Sequence, residues 1–341
     1  MTERRLPRTS SKALALMYHR VANETCDPWA LCVSPSRFEE QMAALRQAVR
    51  VLPLQQLRDH LAAAADQLPS VIVTFDDGYA DNFHTAKPVL ERYEVPATFF
   101  IVSGHVGQPR EFWWDELDRL LLQPVSLPAS FRLDLDGSVL DADLTGATEY
   151  AREDYERNWN WRAWDPPPTP RHALYYSLWQ RLQPMTETDR QQALDAIRRW
   201  AGIDPHGRGS RLAMASADLA TLARHPLIEV GCHTQTHPRL SSLPVLEQSV
   251  EIRGCKDYLE RFLKQPVKSF AYPYGGLDDY TAETSAVVRE IGFSTACSTS
   301  SGIVTASSDL FELPRIAVEN WNGEEFAHRL AGWLGGPPNK V

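Results

Sequence analysis

The sequence has no run approaching the roughly 20 apolar residues that span a bilayer. Cysteine is scarce: Cys26, Cys32, Cys232, Cys255 and Cys297 make an odd set with neither zinc-ribbon nor redox spacing. That excludes a disulfide-stapled scaffold and suits a reducing compartment with free thiols. There is no surplus of positive charge either, since 35 Lys and Arg stand against 44 Asp and Glu. Nothing therefore points to nucleic acid or to an anionic membrane surface. The apolar stretch Ala13 to Tyr18 is too short for a signal-peptide core and ends in His19 and Arg20. No export signal is read, and a cytoplasmic protein is expected. A GxSxG elbow, a P-loop, a Gly-rich dinucleotide turn and internal repeats are likewise missing.

What is present is a recurring pattern of short apolar segments rich in β-branched and aromatic residues: ALALMY at 13 to 18, VIVTF at 71 to 75, ATFFIV at 97 to 102, LIEVG at 227 to 231 and VKSFA at 267 to 271. These are candidate buried strands. Helical patterns lie between several of them, as in Phe38, Met42, Leu45 and Val49 behind Ser34 or Ser36. Alternating strands and helices predict an α/β fold with a parallel sheet, either a barrel or a doubly wound sheet. From Gly104 to Ser210 the rhythm breaks, and this segment reads as an inserted subdomain. It carries seven of the ten tryptophans: Trp113, Trp114, Trp159, Trp161, Trp164, Trp179 and Trp200. Indole faces stack on sugar rings, but an inserted subdomain also needs a core of its own. The stretch Asn158 to Trp164, before a proline cluster, is the expected exposed aromatic loop.

In parallel α/β folds, functional groups collect beyond the C-terminal ends of strands. Four strand ends here carry such residues: His19 after ALALMY, Asp76 and Asp77 after VIVTF, His233 after LIEVG, and Tyr272, Pro273 and Tyr274 after VKSFA. Adjacent carboxylates repel and call for a cation, with Gly78 permitting the turn that exposes both; capping of the following helix is the competing explanation. His233 and His237, four residues apart, fall on one face of a helix or compact turn. Two neutral histidines and one carboxylate form a common ligand set for catalytic zinc.

At these positions the sequence resembles the polysaccharide deacetylases, the NodB-homology enzymes of carbohydrate esterase family four. TFDDG at 74 to 78, HTQTH at 233 to 237 and AYPYG at 271 to 275 look like that family's three motifs in order. The resemblance implies a distorted (β/α) barrel over 11 to 103 and 211 to 320, interrupted by a mainly helical subdomain at 104 to 210 that could cap the site. A C-terminal helix and tail would follow at 321 to 341. It also implies that Asp76 is the catalytic base, that Asp77, His233 and His237 bind the metal, and that the Tyr274 backbone N–H helps hold the oxyanion. A divalent metal is expected, Zn²⁺ first, with Co²⁺, Ni²⁺ or Mn²⁺ as the alternatives. The third motif departs from the common pattern, with Ala271 where many members have an arginine that orients the base; Arg315, in FELPRIAV, is the candidate replacement. MYHRV at 17 to 21 looks like the N-terminal YHxV element of a subgroup that includes the biofilm poly-N-acetylglucosamine deacetylases, which makes a protonated His19 the candidate general acid.

These assignments describe a metal-dependent de-N-acetylase acting on an N-acetylated amino sugar, whether small, nucleotide-linked, lipid-linked or oligomeric. Tyr272, Pro273, Trp113 and Trp114 are the candidate substrate contacts. A deformylase or amidase acting on a small non-sugar amide would use the same centre, and a silent glycan-binding module is the reading outside enzymology.

Overall fold

In a computed structural model, residues 12–24, 26–62, 70–123, 126–135, 137–204 and 206–335 are described. Residues 1–11, where no export signal was read, and the tail of the 321–341 segment beyond 335 lie outside them. The chain forms two compact units, one of residues 1–22, 32–106 and 214–341, the other of 23–31 and 107–213.

The larger unit is built on seven parallel strands: β1 (Ala13–Tyr18), β2 (Ser70–Phe75), β3 (Ala97–Ile101), β4 (Ile228–Cys232), β5 (Ser269–Ala271), β6 (Thr295–Cys297) and β7 (Ile316–Ala317). Their spatial order is β6-β5-β4-β3-β2-β1-β7, and the two-residue strand Arg50–Val51 also pairs with β2. The segment leading into β7 bridges the two ends: Leu313 pairs with Cys297 of β6, and Ile316 with Leu16 of β1. The sheet thus curls into the distorted (β/α) barrel that the family resemblance implied, one of the two forms the alternating pattern allowed.

Strand period sets the two faces. Leu14, Leu16, Val71, Val73, Phe75, Phe99, Val230 and Cys232 belong to the core shared with the helices. Ala13, Ala15, Ile72, Phe100, Ala271 and Cys297 form a separate interior cluster. Helix α1 (Pro35–Ala48) buries Phe38, Met42 and Leu45, the residues whose spacing announced it. The other helices that matter below are α2 (Val245–Leu263) and α3 (Gly323–Trp333). Among the described residues no helix is long and apolar enough to cross a membrane.

The smaller unit differs from expectation in two ways. It contains an antiparallel hairpin, Ser130–Leu135 with Ser138–Asp143, besides helices such as Trp113–Leu121, Pro170–Leu182 and Glu187–Ala201. It also takes in residues 23–31, which the sequence reading assigned to the barrel. Trp29 explains their membership, because its ring lies 4.1 Å from that of Trp179 and its Nε1 donates to Tyr175 Oη. Buried ion pairs do the rest: Arg211 reaches Glu24, Asp115 and Asp118, while Arg208 holds Glu111 and Asp118.

One buried acid lies apart from the strand ends that carry the motifs. Glu229, on β4, accepts from Ser269 Oγ at 2.8 Å and Thr98 Oγ1 at 3.1 Å. Burial raises its pKa above 4.5 despite those bonds. A raised carboxyl pKa contributes stability that is fully present below the unfolded value and lost as pH rises through the folded one. Glu229→Gln, which removes the ionisation, is therefore expected to gain stability relative to wild type as pH rises above about 4.5 in denaturant titrations. A constant difference across that rise would reject the assignment.

Candidate metal and catalytic centre

The site grows from the ends of β1, β2, β4 and β5. Thr74 lies on the interior face of β2, and its hydroxyl donates to Leu16 O at 2.8 Å. Two residues on, Asp76 is buried. Its two oxygens receive Arg315 Nη1 and Nη2, each at 2.7 Å, in a bidentate fork. Arg315 is itself fully buried and is held by Ser298 O at 2.8 Å and Thr74 Oγ1 at 3.1 Å. Burial alone would raise the Asp76 pKa, but the Arg315 charge, aided by His233, the Arg315 hydrogen bonds and His19, brings it down to about 2. Asp76 is thus a fixed anion with a fixed orientation.

Asp77 turns the other way. Its backbone adopts φ 71°, and Gly78 follows at φ 77°. A Cβ on Gly78 would come 2.8 Å from Ile101 Cδ1, so a side chain here would have to displace the end of Ile101 as well as adopt the left-handed region. Asp77 Oδ1 then lies 3.5 Å from His233 Nε2 and 3.4 Å from His237 Nε2. Three buried ligand atoms from these residues lie within 4.8 Å of one another.

That donor set fits a divalent cation. Ligand atoms bound tetrahedrally to zinc at about 2.0–2.2 Å lie about 3.3–3.6 Å apart, the separation between Asp77 and each histidine. His233 is prepared as well: its Nδ1 donates to Ala271 O at 2.7 Å, which leaves the Nε2 lone pair directed at the centre. Burial lowers the His233 pKa, against the raising influence of Asp76 and of that hydrogen bond, and so favours the neutral, ligating form.

The local backbone is strained where these groups converge. Asp77, Thr234 (φ 64°), His237 (φ 58°) and Tyr274 (φ 60°) all sit in the left-handed region without being glycine. Such residues cost on the order of 1–3 kcal/mol each and persist only where neighbours dictate them. The Tyr274 ring meets His237 edge to face at 4.8 Å.

His19 also belongs to this centre. Its backbone carbonyl accepts from Asn82 Nδ2 at 2.7 Å, and Asp81 secures the next residues by accepting Arg20 Nε and Val21 N, both at 3.0 Å. Burial is the largest influence on the ring, opposed by Asp76 and reinforced by Arg315 and His233, and lowers its pKa from 6.5 to about 4. Burial thus favours the neutral imidazole of His19 in the resting protein. Asp81 and Asn82 were missed by sequence reasoning, although their place five and six residues after Asp76 was a usable signal.

Other candidates fall away from the chemistry. Tyr272 is fully buried on the helix-facing side of the sheet, stacked on Tyr280 with ring centroids 4.0 Å apart and donating to Phe311 O. It cannot touch substrate there, and Pro273 is buried beside it. Trp113 and Trp114 are core residues of the smaller unit, with Trp113 lying under Arg190 at 5.2 Å. No face is left on either for a sugar. In the expected aromatic loop, Trp161 is buried while Trp159 and Trp164 are exposed.

Removing Arg315 tests the buried pair. Arg315→Met leaves the Asp76 carboxylate without its partner and is expected to cost about 3–5 kcal/mol in equilibrium unfolding; a loss under about 1 kcal/mol would show that the pair does not organise the interior.

Comparison with known proteins follows the same residues. A family model described as polysaccharide deacetylase matches residues 64–128 and 192–296. Those segments contain Asp76, Asp77, His233, His237 and Tyr274, whereas His19 and Arg315 lie outside them. The putative polysaccharide deacetylase YxkH of Bacillus subtilis is 29% identical over 120 residues, 34% of this chain and 41% of that protein. The poly-beta-1,6-N-acetyl-D-glucosamine N-deacetylase of Staphylococcus aureus is 30% identical over 118 residues, 31% of this chain and again 41% of the relative. The chain thus spans about two fifths of the curated relatives it matches. Among solved structures, IcaB from Ammonifex degensii shares the fold at a TM-score of 0.58 and 19% identity, over 95% of this chain and 97% of that one. With the matched segments carrying the paired aspartates and the paired histidines of the centre, the chain belongs to the polysaccharide deacetylase family.

Proposed function

We propose that this chain is a metal-dependent de-N-acetylase that hydrolyses the acetamide of an N-acetylglucosamine-type residue in a glycan or glycoconjugate. The observation that carries the reading is the opposite fate of two adjacent carboxylates: Asp76 is clamped by Arg315 as an anion, while Asp77 faces two imidazoles. Structural carboxylate pairs have no need of such a division. The acetylated glucosamine substrate is supported by the name of the S. aureus relative.

Asp77, His233 and His237 would hold the cation, with Zn²⁺ the best match to one carboxylate and two imidazoles. When bound, it supplies Lewis-acid stabilisation of charge on the acyl oxygen and acidifies water toward a pKa of about 7. The rest falls to side chains and backbone. Asp76, oriented by Arg315, accepts a proton from water as the water oxygen bonds to the acyl carbon. The Tyr274 N–H is assigned to the acyl oxygen, where a preorganised donor of this kind is worth roughly 100- to 1000-fold in rate. The C–N bond then breaks, and nitrogen must gain a proton because an amide anion is too poor a leaving group. The proton that Asp76 took from water passes to His19, which is neutral at rest, and from its imidazole to nitrogen, which restores the Asp76 carboxylate. Water has by then been divided between acetate and free amine.

Two variants separate the roles. Asp76→Asn is expected to keep stoichiometric metal and lose at least about 100-fold in kcat, whereas His233→Ala loses both metal and turnover. Normal turnover by Asp76→Asn would remove it as the base. For the reaction itself, zinc-loaded protein is offered free, nucleotide-linked and oligomeric N-acetylhexosamines with products read by mass. Loss of acetyl from one class is the expected result. Stoichiometric metal with no acetate from any class would favour a glycan-binding module instead.

A further inference from the structure

The five residues His233 to His237 carry two of the three proposed ligands, yet their backbone has little regular structure to hold it. Thr234 and His237 are both left-handed, and the bonds inside the loop are few: His237 N donates to Thr234 Oγ1 at 3.0 Å. The loop is fixed from outside on two sides. From the end of β3, Ser103 N donates to Thr234 O at 3.1 Å and Gly104 N to Gln235 O at 2.9 Å. A Cβ at Gly104 would fall 2.5 Å from that carbonyl oxygen, so the two backbones are in direct contact. From the other side comes one side chain of α2. Glu251 Oε2 accepts the backbone N–H groups of Gln235 and Thr236, both at 2.9 Å, and its Oε1 accepts Thr236 Oγ1 at 2.8 Å.

We propose that Glu251 is a positioning residue for the metal centre: its carboxylate fixes the loop between His233 and His237 and so sets the affinity of Asp77, His233 and His237 for their cation. The inference rests on the metal reading above. The carbonyl groups of Thr234 and Gln235 are held from the end of β3 and the N–H groups of Gln235 and Thr236 by Glu251, so without the carboxylate the loop's hydrogen bonding to α2 falls to one side-chain bond, Gln235 Nε2 to Val250 O at 3.1 Å. The two imidazoles then lose the common placement, 3.4 and 3.5 Å from Asp77 Oδ1, that a shared cation needs. A carboxylate is the suitable acceptor because it takes three donors on two oxygens without offering a donor of its own.

The test uses the full chain and zinc itself, with Kd read by competition against a chromophoric chelator and geometry by the visible absorption of the cobalt-substituted protein. Glu251→Ala is expected to weaken zinc binding about 10- to 100-fold and to shift the cobalt bands. Glu251→Gln should recover most of that loss. Its amide oxygen can still take both N–H groups and its NH₂ can donate to Thr236 Oγ1. A purely structural role would lower thermal stability in the alanine variant and leave both metal readouts unmoved. A folded Glu251→Ala protein with zinc affinity within about twofold of wild type overturns the proposal, as does a glutamine variant as weak as the alanine one. Should the alanine variant fail to fold, Glu251→Gln combined with Thr236→Val decides on the same criterion, with about fivefold or greater weakening expected. The control is wild type against His233→Ala. A wild-type chain that takes up no stoichiometric zinc overturns the metal reading itself, whereas wild-type binding with an unaltered Glu251 variant overturns only the role of Glu251.

Discussion

The Asp76–Arg315 pair joins the end of β2 to the last strand of the sheet, across 239 positions of sequence. Burying a carboxylate and a guanidinium is costly, and geometry alone recovers the cost: both oxygens and three guanidinium nitrogens are occupied. Lysine could supply the charge but not the fork. The pair thereby ties the lead-in to β7 to the end of β2 and fixes where the Asp76 carboxylate points. One interaction thus reinforces the backbone pairing that closes the barrel and also orients the carboxylate.

Its second consequence is electrostatic. Two neighbouring carboxylates cannot both ionise in a buried site unless each has its own counter-charge. Arg315 neutralises Asp76, so Asp77 is left to face the imidazoles of His233 and His237, where the proposed cation would be held. The left-handed backbone at Asp77 is what separates the two side chains, and the strain at Thr234, His237 and Tyr274 serves the same convergence. A centre made from four strand ends therefore depends on tight turns more than on any one element.

Much of this was legible in the sequence, for identifiable reasons. Buried parallel strands read as apolar runs, so β1 to β5 were visible, and their ends pointed to Asp76, Asp77, His233 and Tyr274. Arg315 was found from its position near the end of the barrel pattern. Other features were obscured by competing signals. The hairpin Ser130–Leu135 with Ser138–Asp143 has alternating residues, and an Asp-Gly pair in the sequence between its strands was a usable mark hidden by the many charges around it. Glu251 reads as one more acid on an amphipathic helix, and only tertiary contact shows its oxygens meeting the backbone between the two histidines. Residues 23–31 leave the barrel because Trp29 and Glu24 find partners more than a hundred positions away, which periodicity cannot register.

Substrate recognition follows a different logic from the centre. Hydrolysis needs a few residue types in one arrangement, and those types are rare enough in buried sites to stand out. A sugar can be recognised by any exposed ring face and scattered hydrogen bonds, so residue type carries little information and exposure carries most of it. Tryptophan shows the difference: of the seven in the inserted segment, Trp113, Trp114 and Trp161 are buried and spent on packing, while Trp159 and Trp164 keep a face to solvent. Composition alone weighted all seven equally. Burial divides them, and with Tyr272 and Pro273 also enclosed, the candidate sugar contacts Trp113, Trp114, Tyr272 and Pro273 are removed. The centre and the recognition surface are thus constrained by separate physics, and knowledge of the first does not determine the second.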